Sequence, residues 1–351
     1  MECLVVGMLM LKKEELTNKA FIIAEVGQNH QGDLELARKY IREFADTGVD
    51  AIKFQTRNNK VLFADCAYNK PYNSENAFSE IYGLHREALE LDPEWLPILK
   101  KDCEEHGVKF MSTPFDEPSL DLLCDIGVDI LKVASFDIGN LPFLKKIAEK
   151  KKPVVVSVGG GKIDQIRASI DLLSSSLDEV AVLHCVSEYP CELERLGLEN
   201  IDLLSKEFPG CTVGLSDHFN GILTGPVGYM MGARVFEKHV TLNRAWKGTD
   251  HSFALEYHGF RNFVRDIRRV DKMMASKPVE ELGNEMVFQK LGKSIVALED
   301  ITSGQELTID NLSGKIFGEQ HIPVRESKDV IGRKVNRDIK AGDLIKREDL
   351  V

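Results

Sequence analysis

FIIAEVG, residues 21–27, is a short apolar run that ends on polar residues, and the helix-like spacing of Leu34–Phe44 follows it. The chain repeats that arrangement seven more times. The later runs are AIKFQT (Ala51–Thr56), KFMSTPF (Lys109–Phe115), ILKVAS (Ile130–Ser135) and VVVSVG (Val154–Gly159), then VAVLHCVS (Val180–Ser187), TVGLSDH (Thr212–His218) and RVFEKHV (Arg234–Val240). Apolar residues at three- and four-residue spacing fill the gaps, as in Glu94–Glu105, Ser119–Asp125, Leu144–Lys150, Ile163–Leu173 and Phe260–Met274. Eight strand–helix units in roughly 250 residues predict an α/β fold of the (β/α)8, or TIM-barrel, type. Such barrels carry their chemistry at the C-terminal strand ends. Those ends hold Glu25, Lys53, Gln55, Thr113, Lys132, Ser135, Ser157, Ser187, Ser216, His218, Glu237 and His239.

Length and charge narrow the partners. A chain of 351 residues fits one large domain and a small one. Lys and Arg number 45 against 56 Asp and Glu, a net charge of −11 with no basic stretch. That balance argues against nucleic acid or a membrane surface as partner, yet local lysines still suit an anionic small substrate. The seven cysteines form no CxxC and read as free thiols in a reducing cytoplasm. The N-terminal CLVVGMLML is too short to span a bilayer and lacks a cleavage site. It reads as an extra strand, a flexible extension or an early start, within an extension over residues 1–19.

Two segments break the strand–helix rhythm. Arg57–Asp92 separates the second strand from its helix and carries Tyr68, Tyr72, Phe78, Tyr82 and His85. A connection that long is functional or disordered, and its aromatic residues favour an ordered, functional loop. After Lys277 the pattern changes. The barrel is expected over 1–278 and a linker over 279–292. A small β-rich domain over 293–351 would contain SIVAL, LTI, GKIF, KVNRDI and DLIKREDL as strands. Within it, ALEDITSGQELTIDNL and VNRDIKAGDLIKREDL rhyme. The domain is too small to be comfortable alone and should pack on a barrel, its own or a partner's.

The strand-end residues suggest chemistry. His218 and His239 end neighbouring strands, where two imidazoles would suit one divalent ion with open positions; hydrogen-bonded core histidines are the alternative. Glu237 shares the parity of His239 and faces the same way, as a ligand, a support or an ion-pair partner. Lys53 and Lys132 sit in apolar strands, where a charge needs a partner. With the hydroxyls of Thr113, Ser135, Ser157, Ser187 and Ser216 they would ring a carboxylate and a phosphate, or simply pair with glutamates. Lys132 would otherwise serve as a Schiff-base nucleophile. Glu25 would move a proton. SVGGGK (Ser157–Lys162) offers backbone N–H groups for a phosphate nest but lacks nucleotide-loop spacing.

AEVGQNHQGDLELA, DAIKFQT, MSTPFD, LKVASFDIGN, LHCVSEYP, VGLSDHFNGI, FEKHVTL and GTDHS occur in that order and closely resemble the sialic acid synthase family. Lys293–Val351 resembles the antifreeze-like, or SAF, domain that ends those synthases. The resemblance implies condensation of phosphoenolpyruvate with an N-acylated hexosamine to give a nonulosonic acid. It implies manganese or magnesium held by His218 and His239. Lys53, Thr113, Lys132, Ser135, Ser157, Ser187 and Ser216 would contact phosphoenolpyruvate, and Gln55, Tyr189 and Asp250 the sugar. Glu25 would be the proton-transfer group. It also implies a homodimer in which one subunit's SAF domain covers the other's barrel mouth.

The chain departs from the family pattern in three places. Bacterial members commonly carry Lys-Arg-Pro-Gly in the SAF domain, where the arginine reaches the sugar. GKIFGEQ puts Ile316 there, leaving Lys315 or Arg325 to compensate. The turn after the fifth strand is usually Thr-Gly-Met, not ValGlyGlyGly. The loop PYNSENAFSEIYGLHREALE and the segment WKGTDHS look like the animal-type synthases, which use a 6-phosphorylated sugar. N-acetylmannosamine, its 6-phosphate and a diamino-trideoxyhexose all stay open as acceptors. A Schiff-base aldolase acting through Lys132, and a non-catalytic polysaccharide-assembly protein on the same scaffold, are the competing readings.

Overall fold

Eight parallel strands close into a barrel in sequence order: β1 (Phe21–Gly27), β2 (Ala51–Thr56), β3 (Lys109–Pro114), β4 (Ile130–Val133), β5 (Val154–Ser157), β6 (Val180–Cys185), β7 (Thr212–Asp217) and β8 (Val235–His239). The structure is a computed structural model and describes residues 11–16, 19–283 and 285–351. The expected barrel is the observed one, with strand boundaries shifted by a residue or two. The helices that cover it are α1 (Leu34–Ala45), α2 (Leu96–Glu105), α3 (Glu117–Asp125), α4 (Leu141–Glu149), α5 (Ile163–Ser174), α6 (Asn200–Glu207), α7 (Thr224–Met230) and α8 (Tyr257–Met274). Polar side chains start several of them. Asp33 accepts from Leu36 N at the head of α1, and Asp116 from Ser119 N at the head of α3.

Strand parity divides each strand between two cores. Ile22, Phe54, Phe110, Leu131, Val156, Val182 and Phe236 face the helices and are essentially fully buried. Each such side chain contributes roughly 1.5–3 kcal/mol relative to exposure. The alternate residues Ile23, Ala51, Met111, Ile130, Val155, Ala181, Leu183 and Val235 fill the barrel interior. Leu11 and Leu16 join this inner layer. Leu11 N donates to Glu179 at 2.7 Å, and its carbonyl accepts from Thr212 Oγ1 at 2.6 Å. Residues 3–10, where most of the apolar N-terminal run lies, fall outside the described residues.

One buried ion pair sits in the helix-facing layer, not in the lumen. Lys238 Nζ lies 2.6 Å from Asp217 Oδ2, with both side chains closed off from solvent. Asp217 also accepts from Phe219 N at 2.9 Å and from Thr224 Oγ1 at 2.5 Å. These bonds tie the β7 end to α7.

Residues Ala275–Val351 form a second compact unit. It contains a helix at Met286–Leu291 and an antiparallel pair, β9 (Ser294–Ala297) and β10 (Leu312–Lys315). The expected strands at KVNRDI and DLIKREDL reduce to isolated bridges, such as Ile339 with Ile301 and Val335 with Leu350, and LTI forms neither a strand nor a bridge. Turns at Gly304 and Gly342 bend each run away after one contact. The two rhyming stretches are related by a pseudo-twofold. Ile301 and Ile339 hold equivalent places, and each N–H donates to the other's carbonyl at 2.8 Å. Gly304 N donates to Val335 O while Gly342 N donates to Ala297 O. Asn311 accepts from Thr308 N just as Asp349 accepts from Lys346 N. Ile295, Ile301, Leu307, Val335, Ile339 and Ile345 make the core between the halves.

Candidate active site

Register puts three ionisable groups on one level of the barrel. Glu25 pairs with Lys53 across β1 and β2 and with His239 across β1 and β8. Lys53 Nζ lies 2.7 Å from Glu25 Oε2, 3.5 Å from Glu237 Oε2 and 3.2 Å from Thr113 Oγ1. Lys132 Nζ donates to Ser157 Oγ and to Val133 O, both at 2.8 Å, and stands 4.0 Å from Glu237 Oε1. Ser216 Oγ donates to Glu237 at 3.0 Å. All four charged side chains are buried. Two carboxylates and two ammonium groups therefore balance within a low-dielectric lumen.

Their surroundings pull the two carboxyl groups apart. Burial pushes Glu25 up to about 7, although Lys53 opposes the shift. Burial would raise Glu237 as well, but Lys132 and Lys53 outweigh it and hold that carboxyl well below the usual range. Burial lowers Lys132 despite Glu237, whereas Glu237 and Glu25 overcome burial at Lys53 and raise it.

Beside this cluster stand the two imidazoles, with ring centroids 5.4 Å apart. His218 Nδ1–H donates to Val186 O at 2.8 Å, which leaves Nε2 as its free lone pair. His239 Nδ1 is buried without a hydrogen-bond partner, 3.7 Å from Asp250 Oδ2. Burial holds the His239 imidazole neutral, against Asp250. Two imidazoles, each with a ring nitrogen left without a hydrogen-bond partner, fit a divalent ion. Among the described residues no group of three or more His, Cys, Asp or Glu converges for a metal. Substrate or water oxygens would supply the remaining positions.

Gly27 lets Asp250, Gln55 and Glu25 close in on one another. Its φ is +55°, and a Cβ there would come within 3.3 Å of Asp250 Oδ2, Gln55 Nε2 and Glu25 Oε1. Gln55 Nε2 donates to Glu25 Oε1 at 2.8 Å. Tyr189 leans over His218 with centroids 4.1 Å apart.

One cavity of about 820 Å³ joins these groups. Glu25, Lys53, Gln55, Thr113, Lys132, Ser135, Ser157, Tyr189, Ser216, His218, His239 and Asp250 all line it. Ser187 lies just behind the wall, 3.0 Å from Ser135 Oγ. Of the glycines after β5, Gly159 and Gly161 serve close packing, Gly160 takes a φ of +72°, and none lines the cavity. A Cβ at Gly159 would meet Ser187 Oγ at 2.5 Å, and one at Gly161 would meet Ile138 Cγ2 at 2.7 Å. In the second unit Ile316 is exposed, Lys315 donates to Gly342 O and Arg325 to Gly283 O.

The long loop after β2 places Tyr82, one of its expected aromatic residues, on the cavity wall. It also supplies Arg57, Phe63, Asn76 and Arg86, which the sequence did not single out, with Gln28 from the loop after β1. The loop is ordered by short helical turns at Asn59–Leu62, Asp65–Tyr68 and Tyr82–Glu87. An aromatic cluster fastens them, with Tyr72 4.6 Å from His85 and 5.3 Å from Tyr82. Arg57 directly follows Thr56 at the end of β2, and that position was the available signal. Free thiols are found at Cys66, Cys103, Cys124, Cys185, Cys191 and Cys211. Among the described residues no helix is long and apolar enough to cross a membrane.

Residues 40–278 match the model of the NeuB family, and residues 292–351 that of the SAF domain. The chain is 35% identical to N-acetylneuraminate-9-phosphate synthase of Homo sapiens, over 93% of this chain and 92% of that protein. It is 34% identical to N,N'-diacetyllegionaminic acid synthase of Legionella pneumophila, over 92% of each. The crystal structure of N-acetylneuraminic acid (sialic acid) synthetase from Leptospira borgpetersenii, in complex with citrate, superposes with a TM-score of 0.67. That likeness is at 30% identity and covers 75% of this chain and 89% of that one.

Proposed function

The chain belongs to the NeuB family, and from that premise we propose that it condenses phosphoenolpyruvate with an N-acyl hexosamine of the N-acetylmannosamine type. The products are a nonulosonic acid and inorganic phosphate. The observation that carries the reading is the buried cluster of Glu25, Lys53, Glu237 and Lys132 beside the His218 and His239 imidazoles, inside one cavity.

Lys53 and Lys132, with the hydroxyls of Thr113, Ser135, Ser157, Ser187 and Ser216, receive the carboxylate and phosphate of phosphoenolpyruvate. Gln55, Tyr189 and Asp250 hold the open-chain sugar with its aldehyde toward the lumen. The bond that forms joins C3 of phosphoenolpyruvate to the aldehyde carbon, and the aldehyde oxygen takes a proton. Water adds at C2, the C2–O bond to phosphate breaks, and a 2-keto acid remains. Glu25 accepts the proton of the incoming water. His218 and His239 would hold a manganese or magnesium ion, which would supply Lewis acidity when bound.

We also read the protein as a homodimer in which one subunit's SAF domain covers the partner's barrel mouth, and as a cytoplasmic enzyme. The SAF match and the free thiols support these readings. Sedimentation analysis should give twice the chain mass, and a monomer at micromolar concentration removes the dimer.

The deciding assay is phosphate release from phosphoenolpyruvate with manganese and a panel of sugars: N-acetylmannosamine, its 6-phosphate and a diacetamido-trideoxyhexose. Sugar-dependent release is expected. No release with any of them, together with no binding of phosphoenolpyruvate, overturns the reading in favour of a non-catalytic role.

A further inference from the structure

Two Arg–Gln–Glu runs of hydrogen bonds meet beside β1, and both have the same direction. Arg86 Nη1 donates to Gln28 Oε1 at 2.6 Å, and Gln28 Nε2 donates to Glu90 Oε1 at 3.2 Å. Arg57 Nη2 donates to Gln55 Oε1, and Gln55 Nε2 donates to Glu25 Oε1 at 2.8 Å. The ion pair between Arg57 Nη1 and Glu90 Oε1, 3.3 Å apart, joins the two runs. One continuous chain therefore leads from the helical turn Tyr82–Glu87 to the carboxyl group of Glu25.

Elementary chemistry fixes its direction. A guanidinium group only donates, so the Gln55 atom that faces Arg57 must be the oxygen. The amide nitrogen is then the atom left to face Glu25. Arg57 is itself held firmly. Its side chain is 3% exposed, its guanidinium lies 4.3 Å over the Phe115 ring, and Glu90 stands beside it. It also keeps its charge, because a guanidinium group does not give up its proton in a protein.

Glu25 needs the amide in one of its two orientations. Lys53 Nζ serves Oε2 at 2.7 Å, and Gln55 Nε2 serves Oε1. A donor on each oxygen holds a carboxylate in place and in the state that accepts a proton. With the amide turned over, its oxygen would face Oε1, and two acceptors would meet in a buried lumen. Gln55 could adopt either orientation by itself. The donor on its far side removes the choice.

We propose that Arg57 is a positioning residue: held by Glu90 and Phe115, it keeps the Gln55 amide turned with its nitrogen toward Glu25. It acts through Gln55 and not by touching the reacting atoms. The proposal deepens the synthase reading and rests on it for the role of Glu25 as proton acceptor.

The test is a double-mutant cycle on the full chain loaded with manganese, at saturating concentration of the sugar that gives the fastest phosphate release. Arg57→Met removes the donor and keeps a long apolar side chain beside Phe115. Glu90, pushed up to about 7 by burial, can then take a proton. kcat should fall by about 10- to 100-fold, while KM for phosphoenolpyruvate stays within about twofold. Arg57→Lys should recover part of kcat, because an ammonium group also only donates. In a Gln55→Ala background the same Arg57→Met change should cost less than about twofold. An equal loss in both backgrounds overturns the proposal, since damage to the fold or direct contact with substrate would act without Gln55. A raised KM for phosphoenolpyruvate at unchanged kcat overturns it too. The second readout is independent of activity. The Gln55 side-chain amide, identified by its loss from the nitrogen–proton NMR spectrum of Gln55→Ala, should exchange with water about tenfold faster in Arg57→Met than in the wild type. An unchanged exchange rate overturns the proposal. Faster exchange in that variant, when the wild type releases no phosphate with any sugar, overturns the synthase reading and leaves Arg57 as the residue that holds Gln55.

Discussion

Lys53 Nζ lies 2.7 Å from Glu25 Oε2, and neither side chain is more than 3% exposed. That contact alone would depress the Glu25 carboxyl, yet the group titrates high. Glu237 also lies within 3.5 Å of Lys53, and burial dominates at Glu25. Two glutamates around one ammonium thus take different protonation states near neutral pH. Such a division is how one site holds a proton carrier beside a fixed negative charge.

The first consequence is a pH profile. A Glu25 that accepts a proton must be ionised, and its carboxyl sits at about 7. The value is raised, so the inactive protonated form dominates below pH 7 and the active form above it. kcat/KM should therefore rise with unit slope below about pH 7 and level off above it. Glu25→Gln should lower kcat by about 10²–10⁴ and abolish that slope. A wild-type profile flat from pH 5.5 to 8.5 would remove Glu25 from the role.

His239 tests the metal. Its Nδ1 is buried and unpartnered, so the side chain is free to ligate. Chelation should stop phosphate release, and added manganese should restore it. His239→Ala should lose manganese binding by paramagnetic resonance while its circular dichroism stays native. Retention of stoichiometric manganese in that variant counts against the assignment.

Lys132 tests the Schiff-base alternative. Burial lowers its ammonium, as such a nucleophile needs, but Nζ is held by Ser157 Oγ and Val133 O. Borohydride added during turnover should leave the protein mass unchanged. A pyruvate adduct mapped to Lys132 would replace the condensation mechanism with an aldolase one.

Gly159 tests how the hydroxyl pair is held. A methyl group there would lie 3.0 Å from Cys185 O and 2.5 Å from Ser187 Oγ, so Ser187 and its neighbour Ser135 must move. Gly159→Ala should raise KM for phosphoenolpyruvate about tenfold. Unchanged kinetics would show that Ser187 does not position substrate.

Asp217 and Lys238 test the outer layer. Replacing Asp217 with Ala strands a buried ammonium and should cost about 3–5 kcal/mol by urea denaturation. The double change Asp217→Leu with Lys238→Met should recover most of that loss, since no charge is left behind. A double variant as unstable as the single one would mean that the hydrogen bonds to Phe219 and Thr224, not the charge pair, carry the stability.

The sequence by itself determined the barrel, because strand parity and helix spacing are local patterns that survive without coordinates. It also located Glu25, Lys53, Lys132, His218 and His239, since an ionisable residue at the polar end of an apolar strand has few places to point. The rhyme between residues 297–312 and 335–350 was legible too, but not its meaning. Only the fold made Ile301 and Ile339 exchange hydrogen bonds. Tertiary structure alone decided which charges share a partner. Glu25 and Glu237 are far apart in the chain and meet at Lys53 because β8 closes against β1. Strand parity already turned Lys238 away from the lumen, but only the fold gave it Asp217 on β7 as a buried partner. It alone carried Arg57 and Arg86 into the cavity, because a loop's path is set by what it packs against and not by a repeating period.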